Sequence, residues 1–571
     1  MNTITTSKAQ CRDCYKCIRY CPVKAIGLND GQAWVDKEKC ILCGRCIGAC
    51  PQKAKSMVSN LAGLESFLAN GDSIVFSVAP SYLAGTTLSS PWKLVAALKR
   101  LGKVSFEETA LGAELIAKEY GRICHEGKRG TIISSCCPVV VNVVEKYHPA
   151  LISNLSGLIS PMIAHGMAIK DERGRSTKVI FIGPCFAKKA EPDWNSPENP
   201  IDAVLTFEEL VPWLREKGIE PEYLPDELPD LASNLAAIFP LKQGILKTAG
   251  IRDGLESEIV SVSGIEECLD AFNDLEKGLI APKFIEALAC KGGCIGGPAI
   301  GNSLGIQARR QRLFDFSQTR RKQGESLKVN NNGLVKNYFP IIPKATMPSE
   351  SEIREVLKLT GKNGPEDETN CGGCGYSSCR DKAIAVIQGM AEPEMCIPYM
   401  KEKAESFSNT VIDTTFNAVI IVNKEMIIQE FNPAAYRMFN RRNISPKGEH
   451  LSAFIDPSDF VKVWKAQDFL VDHLKSYEQY ELVTRQIIYP LPKYGIVIGI
   501  ITDITVEEER KKKHDNMRQE ALTRASRVIR EQMRVVQNVA GLLGESTAET
   551  KATLLELIAI MDESEASSDE I

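Results

Sequence analysis

The residues of this sequence best suited to chemistry are its cysteines. There are 19 in 571 residues, and most stand in short clusters. The start of the chain lacks a charged segment followed by an apolar one, so we expect no secretory signal. Clustered Cys-x-x-Cys spacing without such a signal favours metal binding over disulfide bonds. Three groups of cysteines are therefore candidate metal sites.

The first group consists of two copies of the pattern C-x2-C-x2-C-x3-C-P within residues 1–58. This run resembles that of bacterial two-cluster ferredoxins, in which the fourth cysteine of each run ligates the other cluster. It predicts an electron-transfer module with two [4Fe-4S] clusters, and the alternatives are a zinc site or structural thiols. The predicted ligand sets are Cys11, Cys14, Cys17 and Cys50, and Cys21, Cys40, Cys43 and Cys46.

The second group is spread over three distant motifs. These are SCCP at 135–138, PCFAKKAE at 184–191, and EALAC at 286–290 followed by a cysteine and a glycine-rich turn. One cysteine beside the predicted metal, Cys136, remains a free thiol and a candidate proton carrier. Lys188 adds a positive charge near anionic ligands. The four thiolates that can bind one cubane are those of Cys137, Cys185, Cys290 and Cys294.

These three motifs resemble the signatures of the [FeFe]-hydrogenase H-cluster domain, over roughly residues 60–345. The resemblance implies a [4Fe-4S] cubane bridged by Cys294 to a two-iron subcluster that carries CO, cyanide and a dithiolate amine. It implies that Cys136 passes protons to that amine and that Lys188 holds one cyanide. The segment containing Pro80 and Ser81 resembles the one that hydrogen-bonds the other cyanide.

Several positions depart from the pattern of the family's enzymes. Gly183 and Leu288 replace methionines of the second and third motifs, and Val139 and Val140 stand where a tryptophan is usual. Residues around a cluster tune its potential and access. The departures are typical of a cluster that is not adjusted for fast turnover, and they resemble the sensory branch of the family.

The usual acidic helix of the proton path corresponds here to GAELIAKEY at 112–120. It offers Glu114 and Glu119 as candidate proton-transfer residues. Tyr120 falls where a glutamate of that path aligns. The sequence therefore predicts an altered proton path.

A third group lies within residues 350–403 and has the spacing C-x2-C-x4-C-x16-C. It resembles the small iron–sulfur domain of Rnf-type electron-transfer subunits and corrinoid proteins. A [4Fe-4S] cluster is predicted, with structural zinc as the alternative. The polar stretch 361–370 is interpreted as a linker, and the two remaining thiols, Cys124 and Cys268, as buried and structural. The predicted ligands are Cys371, Cys374, Cys379 and Cys396.

The last third of the chain has no cysteines. Residues 408–507 resemble a PAS domain in their opening hairpin and closing strands, and we predict no cofactor there. Residues 508–545 are predicted to form a helix, and residues 546–571 a helix end and an acidic tail. Apolar residues at alternating spacings of three and four predict a seam for a homodimer or a partner helix. The seam comprises Leu522, Ala525, Ile529, Val536, Val539 and Leu543, with one polar position at Gln532.

These patterns together predict a multidomain fold of the α/β and α+β classes. It comprises a ferredoxin-like iron–sulfur module, an H-cluster domain, a four-cysteine iron–sulfur domain, a PAS-like domain and an amphipathic helix. The net charge of −4 gives no reason to expect nucleic acid as a partner. No apolar run is long enough to span a membrane, and a cytoplasmic location is the simplest expectation.

The predicted function is a reaction with H2 at the H-cluster that serves as a hydrogen or redox sensor. H2 and protons are its small-molecule partners, and a ferredoxin is a candidate redox partner. No output enzyme is evident in the sequence, so a separate kinase or phosphatase is expected to receive the signal. The alternatives are a catalytic, ferredoxin-linked hydrogenase and a non-hydrogenase iron–sulfur scaffold or electron-transfer protein.

Overall fold

The computed structural model of this chain describes residues 4–126, 130–233, 235–251, 258–318, 333–343, 347–440 and 444–543, and residue 552. The predicted acidic tail thus lies almost wholly outside the described residues. The chain divides into two compact units, residues 1–400 and 401–571. None of the described helices combines the length and hydropathy that crossing a membrane requires.

The ferredoxin-like module contains two short antiparallel sheets and two short helices. Strand β1 pairs with β4, and β2 pairs with β3. Each helix starts after a residue of positive φ, Tyr15 at 57° and Gly44 at 73°, so the chain turns sharply inside each cysteine run. The elements are β1 (Ile4–Thr6), α1 (Lys16–Tyr20), β2 (Ile26–Asn29), β3 (Gln32–Val35), α2 (Arg45–Ala49) and β4 (Lys55–Met57).

The central domain is α/β. Its elements are α3 (Leu61–Ala69), β5 (Ile74–Val78), α4 (Tyr82–Gly85), α5 (Trp92–Lys99), β6 (Val104–Glu108), α6 (Ala110–Glu126), β7 (Ile132–Ile133), α7 (Pro138–Tyr147), α8 (Pro161–Arg173), β8 (Lys178–Gly183), β9 (Ala203–Thr206), α9 (Phe207–Glu216), α10 (Gly244–Thr248), β10 (Ile259–Ser263), α11 (Ile265–Glu276), β11 (Phe284–Leu288) and α12 (Ile306–Gln318).

Two parallel sheets form the frame of this domain. One has the strand order β6-β5-β8-β9 and the other has the order β10-β11-β7. Every residue of β5 and of β11 is buried. Continuous apolar runs such as IVFSV suit strands that helices cover on both faces. In register, Phe76 of β5 lies between Phe106 of β6 and Ile180 of β8.

The four-cysteine domain is built from helices. Ser349 and Glu352 form a capping box that starts α13, and Ser378 caps α14 by accepting a hydrogen bond from the Asp381 amide. The elements are α13 (Glu350–Leu359), α14 (Cys379–Ile387) and α15 (Ile397–Thr414), which continues into the second unit.

The second unit contains one antiparallel five-stranded sheet with the order β13-β12-β16-β15-β14. Its core includes Phe439, Phe460 and Ile488. The final helix begins at residue 505, three residues before the predicted start, and the seam residues Val536 and Val539 on it are exposed. The elements are β12 (Ala418–Asn423), β13 (Ile428–Phe431), α16 (Pro433–Phe439), α17 (Ser458–Ala466), β14 (Leu470–Tyr477), β15 (Leu482–Leu491), β16 (Ile496–Asp503) and α18 (Thr505–Leu543).

Candidate functional site

Four loops that carry the predicted site residues all begin where parallel strands end. The loop after β5 carries Pro80 and Ser81, and the loop after β7 carries Cys136 and Cys137. The loops after β8 and β11 carry the cysteines of the second and third motifs. Because the carboxyl ends of parallel strands share one edge of a sheet, the two sheets bring these loops to one place.

The loops enclose a single central cavity of about 100 Å³. Its wall includes the four predicted cubane ligands, so tertiary structure brings together cysteines that are up to 157 positions apart (294 − 137). Gly293 allows the last loop to turn, because its φ is +92° and an added Cβ would lie 2.1 Å from the Pro240 carbonyl oxygen. The cysteines on the wall are Cys137, Cys185, Cys290 and Cys294.

Burial makes these thiols poor acids on their own. It raises the pKa of Cys185 to about 11 and that of Cys294 to about 12, with neighbouring cysteines adding to the effect. Burial likewise raises the pKa of Cys290. A buried thiolate needs a compensating positive charge, which bound iron supplies.

Cys136 also lines the cavity and is 7% exposed. Burial raises the pKa of its thiol, and the neighbouring Cys137 and Cys294 raise it further. It therefore lies beside the four candidate ligands as an additional thiol. A thiol with such a wall position can carry a proton into or out of the cavity.

Lys188 lines the cavity, and the carboxylate of Glu191 balances its positive charge. Its Nζ lies 2.5 Å from a carboxylate oxygen of Glu191 and donates to the Cys136 carbonyl oxygen at 3.5 Å. Burial alone would lower the pKa of Lys188, and Glu191 reverses the direction and raises it. The ammonium is thus held charged at the cavity wall.

Ser81 is fully buried on the opposite loop. Its Oγ has no hydrogen-bond partner among the described residues, and both Ser81 and Pro80 line the cavity. A buried hydroxyl without a partner costs free energy unless a ligand pairs with it. Ser81 and Lys188 therefore offer hydrogen-bond donors to polar groups of a bound cofactor, which fits a cluster with cyanide ligands.

The structure does not bring Glu114 and Glu119 to the cavity. The Ser233 hydroxyl donates to Glu114, and Glu119 accepts from Arg122 at 2.8 Å. Both lie on α6, and neither is among the residues of the cavity wall described here. Their predicted role in proton transfer stays a prediction, because their side of the helix faces other partners than the described cavity wall.

Tyr120 points inwards from the same helix. It is fully buried, and its hydroxyl oxygen accepts a hydrogen bond from the Ser135 amide at 3.0 Å. Burial raises the pKa of this phenol, with the adjacent Cys136 as the next cause. The residue in the aligned glutamate position thus supports the loop that carries the candidate proton carrier.

Sequence reasoning missed a polar chain behind the cavity. Thr109 lines the cavity, and its hydroxyl lies 2.8 Å from the Ser77 hydroxyl, which lies 2.8 Å from Nδ1 of His165. All three are buried. A threonine and a serine at strand ends are frequent in any α/β fold, so no sequence pattern marked this arrangement.

Phe181 accounts for one departure from the family pattern. It lines the cavity, and a Cβ added to Gly183 would lie 2.7 Å from its ring. Gly183 itself is not part of the described wall. The ring therefore occupies space that a larger residue at 183 would need.

The ferredoxin-like module presents two smaller sites of about 20 Å³ each. Each predicted set of four cysteines lines one site. The fourth cysteine of each run therefore lies at the site formed by the other run. We name them the Cys11 site (Cys11, Cys14, Cys17 and Cys50) and the Cys21 site (Cys21, Cys40, Cys43 and Cys46).

The Cys21 site lies next to the central cavity. Ile41, Leu42 and Cys43 pack in one apolar cluster with Cys137 and Cys185. The thiol of Cys43 also acts electrostatically on Cys290. Clusters held at the central cavity and at the Cys21 site would therefore lie close to each other.

A further site, the four-Cys site, is lined by Cys371, Cys374, Cys379 and Cys396. Its cavity of about 20 Å³ has the same volume as each site of the ferredoxin-like module. The stretch 361–370 is not a plain linker, because Lys362 is buried in the wall of this site. The linker interpretation is wrong, because a polar stretch can also pack as part of the wall of a site.

The four-cysteine domain packs on the ferredoxin-like module. The Leu28 amide donates to the Met390 carbonyl oxygen at 3.2 Å, and Arg19 donates to the Gly373 carbonyl oxygen at 3.3 Å. Cys21 and Cys374 belong to the same apolar cluster. Cys11 and Cys17 belong to this cluster too, so the four-Cys site adjoins both sites of the ferredoxin-like module.

The two remaining cysteines differ from each other. Cys268 is fully buried, with its sulfur 3.6 Å from the Leu288 carbonyl oxygen, as expected for a structural thiol. Cys124 is only half-buried. The interpretation of Cys124 as a buried thiol is wrong, because it stands near the end of α6 where packing is incomplete.

Three family models match this chain. Residues 72–298 match the iron only hydrogenase large subunit, C-terminal domain. Residues 33–56 match a 4Fe-4S binding domain, and residues 367–398 match a putative Fe-S cluster domain. These three regions coincide with the central cavity, the second cysteine run and the four-Cys site.

Among curated proteins, the chain is similar to iron hydrogenase 1 of Clostridium pasteurianum, with 27% identity over 52% of this chain and 60% of that protein. It is 28% identical to the periplasmic [Fe] hydrogenase large subunit of Nitratidesulfovibrio vulgaris, over 52% of this chain and 86% of that one. A shorter similarity, 37% identity over 16% of this chain and 20% of the relative, links it to a cytosolic Fe-S cluster assembly factor of Schizosaccharomyces japonicus.

Proposed function

The chain belongs to the [FeFe]-hydrogenase family, and we propose that it interconverts H2 with two protons and two electrons at the central cavity, as a hydrogen sensor. The observation that carries this proposal is the wall of one buried cavity. It combines four candidate cluster ligands with a further thiol, a buried ammonium and a buried hydroxyl that lacks a partner among the described residues.

The residues of the wall fit an H-cluster. Cys137, Cys185, Cys290 and Cys294 would hold its cubane, with Cys294 as the bridging ligand by resemblance to the family. When bound, the cluster supplies the redox centre at which H2 is split or formed. The hydrogen-bond donors Ser81 and Lys188 line the same cavity and would orient polar groups of the bound cofactor.

Two further properties of the wall serve the reaction. Its apolar residues, among them Phe181 and Leu288, exclude water from the cavity. The thiol of Cys136 carries the proton between the reacting centre and the residues behind the loop. A cluster held at the Cys21 site, which is packed against the cysteines of the cavity, would supply the route for electrons.

The sensing role is inferred from the second unit. Its five-stranded sheet contains a hairpin of β12 and β13 and the closing strands β15 and β16. This arrangement agrees with the PAS interpretation. Its helix α18 runs for 39 residues and exposes valines of the predicted seam. We propose that this helix joins two copies of the chain or binds a partner such as a kinase or phosphatase that receives the signal.

Two alternatives have specific support. The similarity to hydrogenases over 52% of the chain favours a catalytic enzyme that exchanges electrons with a ferredoxin. The short similarity to an Fe-S cluster assembly factor favours a protein without the two-iron subcluster.

The test is an infrared spectrum of the anaerobically matured protein, titrated with H2 while H2 uptake and evolution are measured. CO and cyanide bands that shift with H2 while turnover stays slow support a sensor. Shifting bands with fast turnover favour the catalytic alternative, and no bands after maturation favour the assembly-factor alternative. Cys268→Ala is the matched control, because this buried thiol lies outside the described cavity wall and should leave the bands unchanged.

A further inference from the structure

Two buried lysines line the four-Cys site. Lys362 is 8% exposed and Lys382 is 4% exposed. The ammonium of Lys362 donates to the Thr360 carbonyl oxygen at 2.8 Å and to the sulfur of Cys396 at 3.4 Å. The ammonium of Lys382 donates to the Pro393 carbonyl oxygen at 3.0 Å.

Neither ammonium forms an ion pair with a carboxylate in the part of the chain that is described. The negative groups that act on Lys382 are first the thiols of Cys396 and Cys374, and Glu394 after them. A buried ammonium is costly unless an anion balances it. The balancing charge for both lysines must therefore come from the site, whose four thiolates make any bound cluster anionic.

We propose that Lys362 and Lys382 stabilise the reduced state of a [4Fe-4S] cluster at the four-Cys site and so make this site an electron-holding branch of the relay. The proposal rests on the proposed function only for the presence of a cluster at this site. One electron would pass from a reduced cluster at the adjacent Cys21 site to the cluster at the four-Cys site. The donor cluster would thereby be oxidised, and the acceptor cluster would gain one negative charge. Nearby positive charge and hydrogen bonds to a ligand sulfur favour that gain.

The two lysines contribute unequally. Lys362 contacts a ligand sulfur directly, whereas Lys382 acts on Cys396 and Cys374 through space. Coulomb attraction falls with distance, and burial limits its screening by water. Loss of Lys362 should therefore lower the reduction potential more than loss of Lys382.

The experiment is a mediated redox titration of the full-length protein with dithionite, followed by electron paramagnetic resonance. The signal of the four-Cys cluster is identified by its loss in Cys374→Ser. We expect Lys362→Met to lower the equilibrium constant for reduction at least tenfold, about 59 mV for one electron. Lys382→Met should lower it by a smaller factor, and Lys358→Met, which removes an exposed lysine of the same domain, should leave it unchanged.

Two further variants keep the test decisive. Lys362→Arg should restore most of the potential, and Lys362→Gln, which keeps a donor without the charge, should give an intermediate value. If Lys362→Met fails to hold the cluster, the proposal is judged on Lys362→Gln and Lys382→Met. Unchanged potentials in both, or zinc instead of iron in the metal content of this site, overturn the proposal. No H2 is used, so a protein that fails to turn over H2 still tests it.

Discussion

The central cavity and the four-Cys site each gather four cysteines, yet they differ in size and in polarity. The central cavity measures about 100 Å³, and the four-Cys site about 20 Å³. The first has room beyond its ligands and places Ser81 and Cys136 along that room. Four cysteines determine that a cluster is held, whereas the remaining volume determines whether a small molecule reacts there.

The lysines of the two sites also differ. Lys188 at the central cavity is paired with Glu191, so its charge is already balanced before a cofactor binds. Lys362 at the four-Cys site instead faces the sulfur of Cys396. A lysine whose charge is already balanced can orient a cofactor group by hydrogen bonding, whereas one that faces a ligand sulfur favours additional negative charge on the cluster. This difference fits the two proposed roles, reaction at the central cavity and electron storage at the four-Cys site.

The largest expected effect comes from removing the additional thiol of the central cavity. We expect Cys136→Ala to lower H2 uptake and evolution by about 100-fold or more, because proton transfer by a positioned group contributes factors of this size. The infrared bands should persist, because Cys136 is not one of the four ligands. Activity within a few-fold of the unsubstituted protein would show that protons take another path. Cys268→Ala serves as the control.

A second prediction concerns the stability of the loop that carries Gly293 at the central cavity. We expect Gly293→Ala to destabilise the first unit by about 3 kcal/mol, because it combines a strained φ with a clash against the Pro240 carbonyl oxygen. Gly278→Ala is the matched control. Its φ is +69° with open space around it, so the cost should be about 1 kcal/mol. Equal losses in thermal or denaturant unfolding would contradict this reason.

Lys188→Met tests the balanced charge. It leaves the carboxylate of Glu191 buried without its ammonium, and removes a donor to the cofactor. Residues that support cofactor ligands contribute about 10-fold to 100-fold to its retention, so the intensity of the cyanide bands per protein should fall by about tenfold. The neighbouring Lys189→Met breaks a buried pair with Glu209 outside the cavity wall and should keep the bands. Equal band loss in both variants would point to general unfolding.

The smallest effect is expected for Ser81→Ala. Loss of one hydrogen bond, about 1 kcal/mol, should shift one cyanide band and change the rate by roughly fivefold. Ser160→Ala is the control, because its buried hydroxyl also lacks a partner among the described residues and lies outside the cavity wall. An unshifted spectrum for Ser81→Ala would mean that this hydroxyl does not meet the cofactor.

Much of the metal-site organisation could be predicted from short-range spacing. The fourth cysteine of each ferredoxin-like run, Cys21 and Cys50, was assigned to the opposite site, and the structure places both accordingly. Such spacing is local, so a few turns and a short helix suffice to build each site. Glu114 and Glu119 could not be placed in this way, because the rotation of α6 depends on packing against distant elements.

The sequence by itself determined the sets of cysteines, the free thiol of Cys136 and the lysine beside it, because these lie in motifs whose residue types already express their chemistry. Only the tertiary structure decided that the Ser81 hydroxyl has no partner among the described residues, that Phe181 fills the space beside Gly183, and that Lys362 contacts Cys396. These relations join residues far apart in the chain or depend on packing around them. They exist only once strands and loops are brought to a common edge.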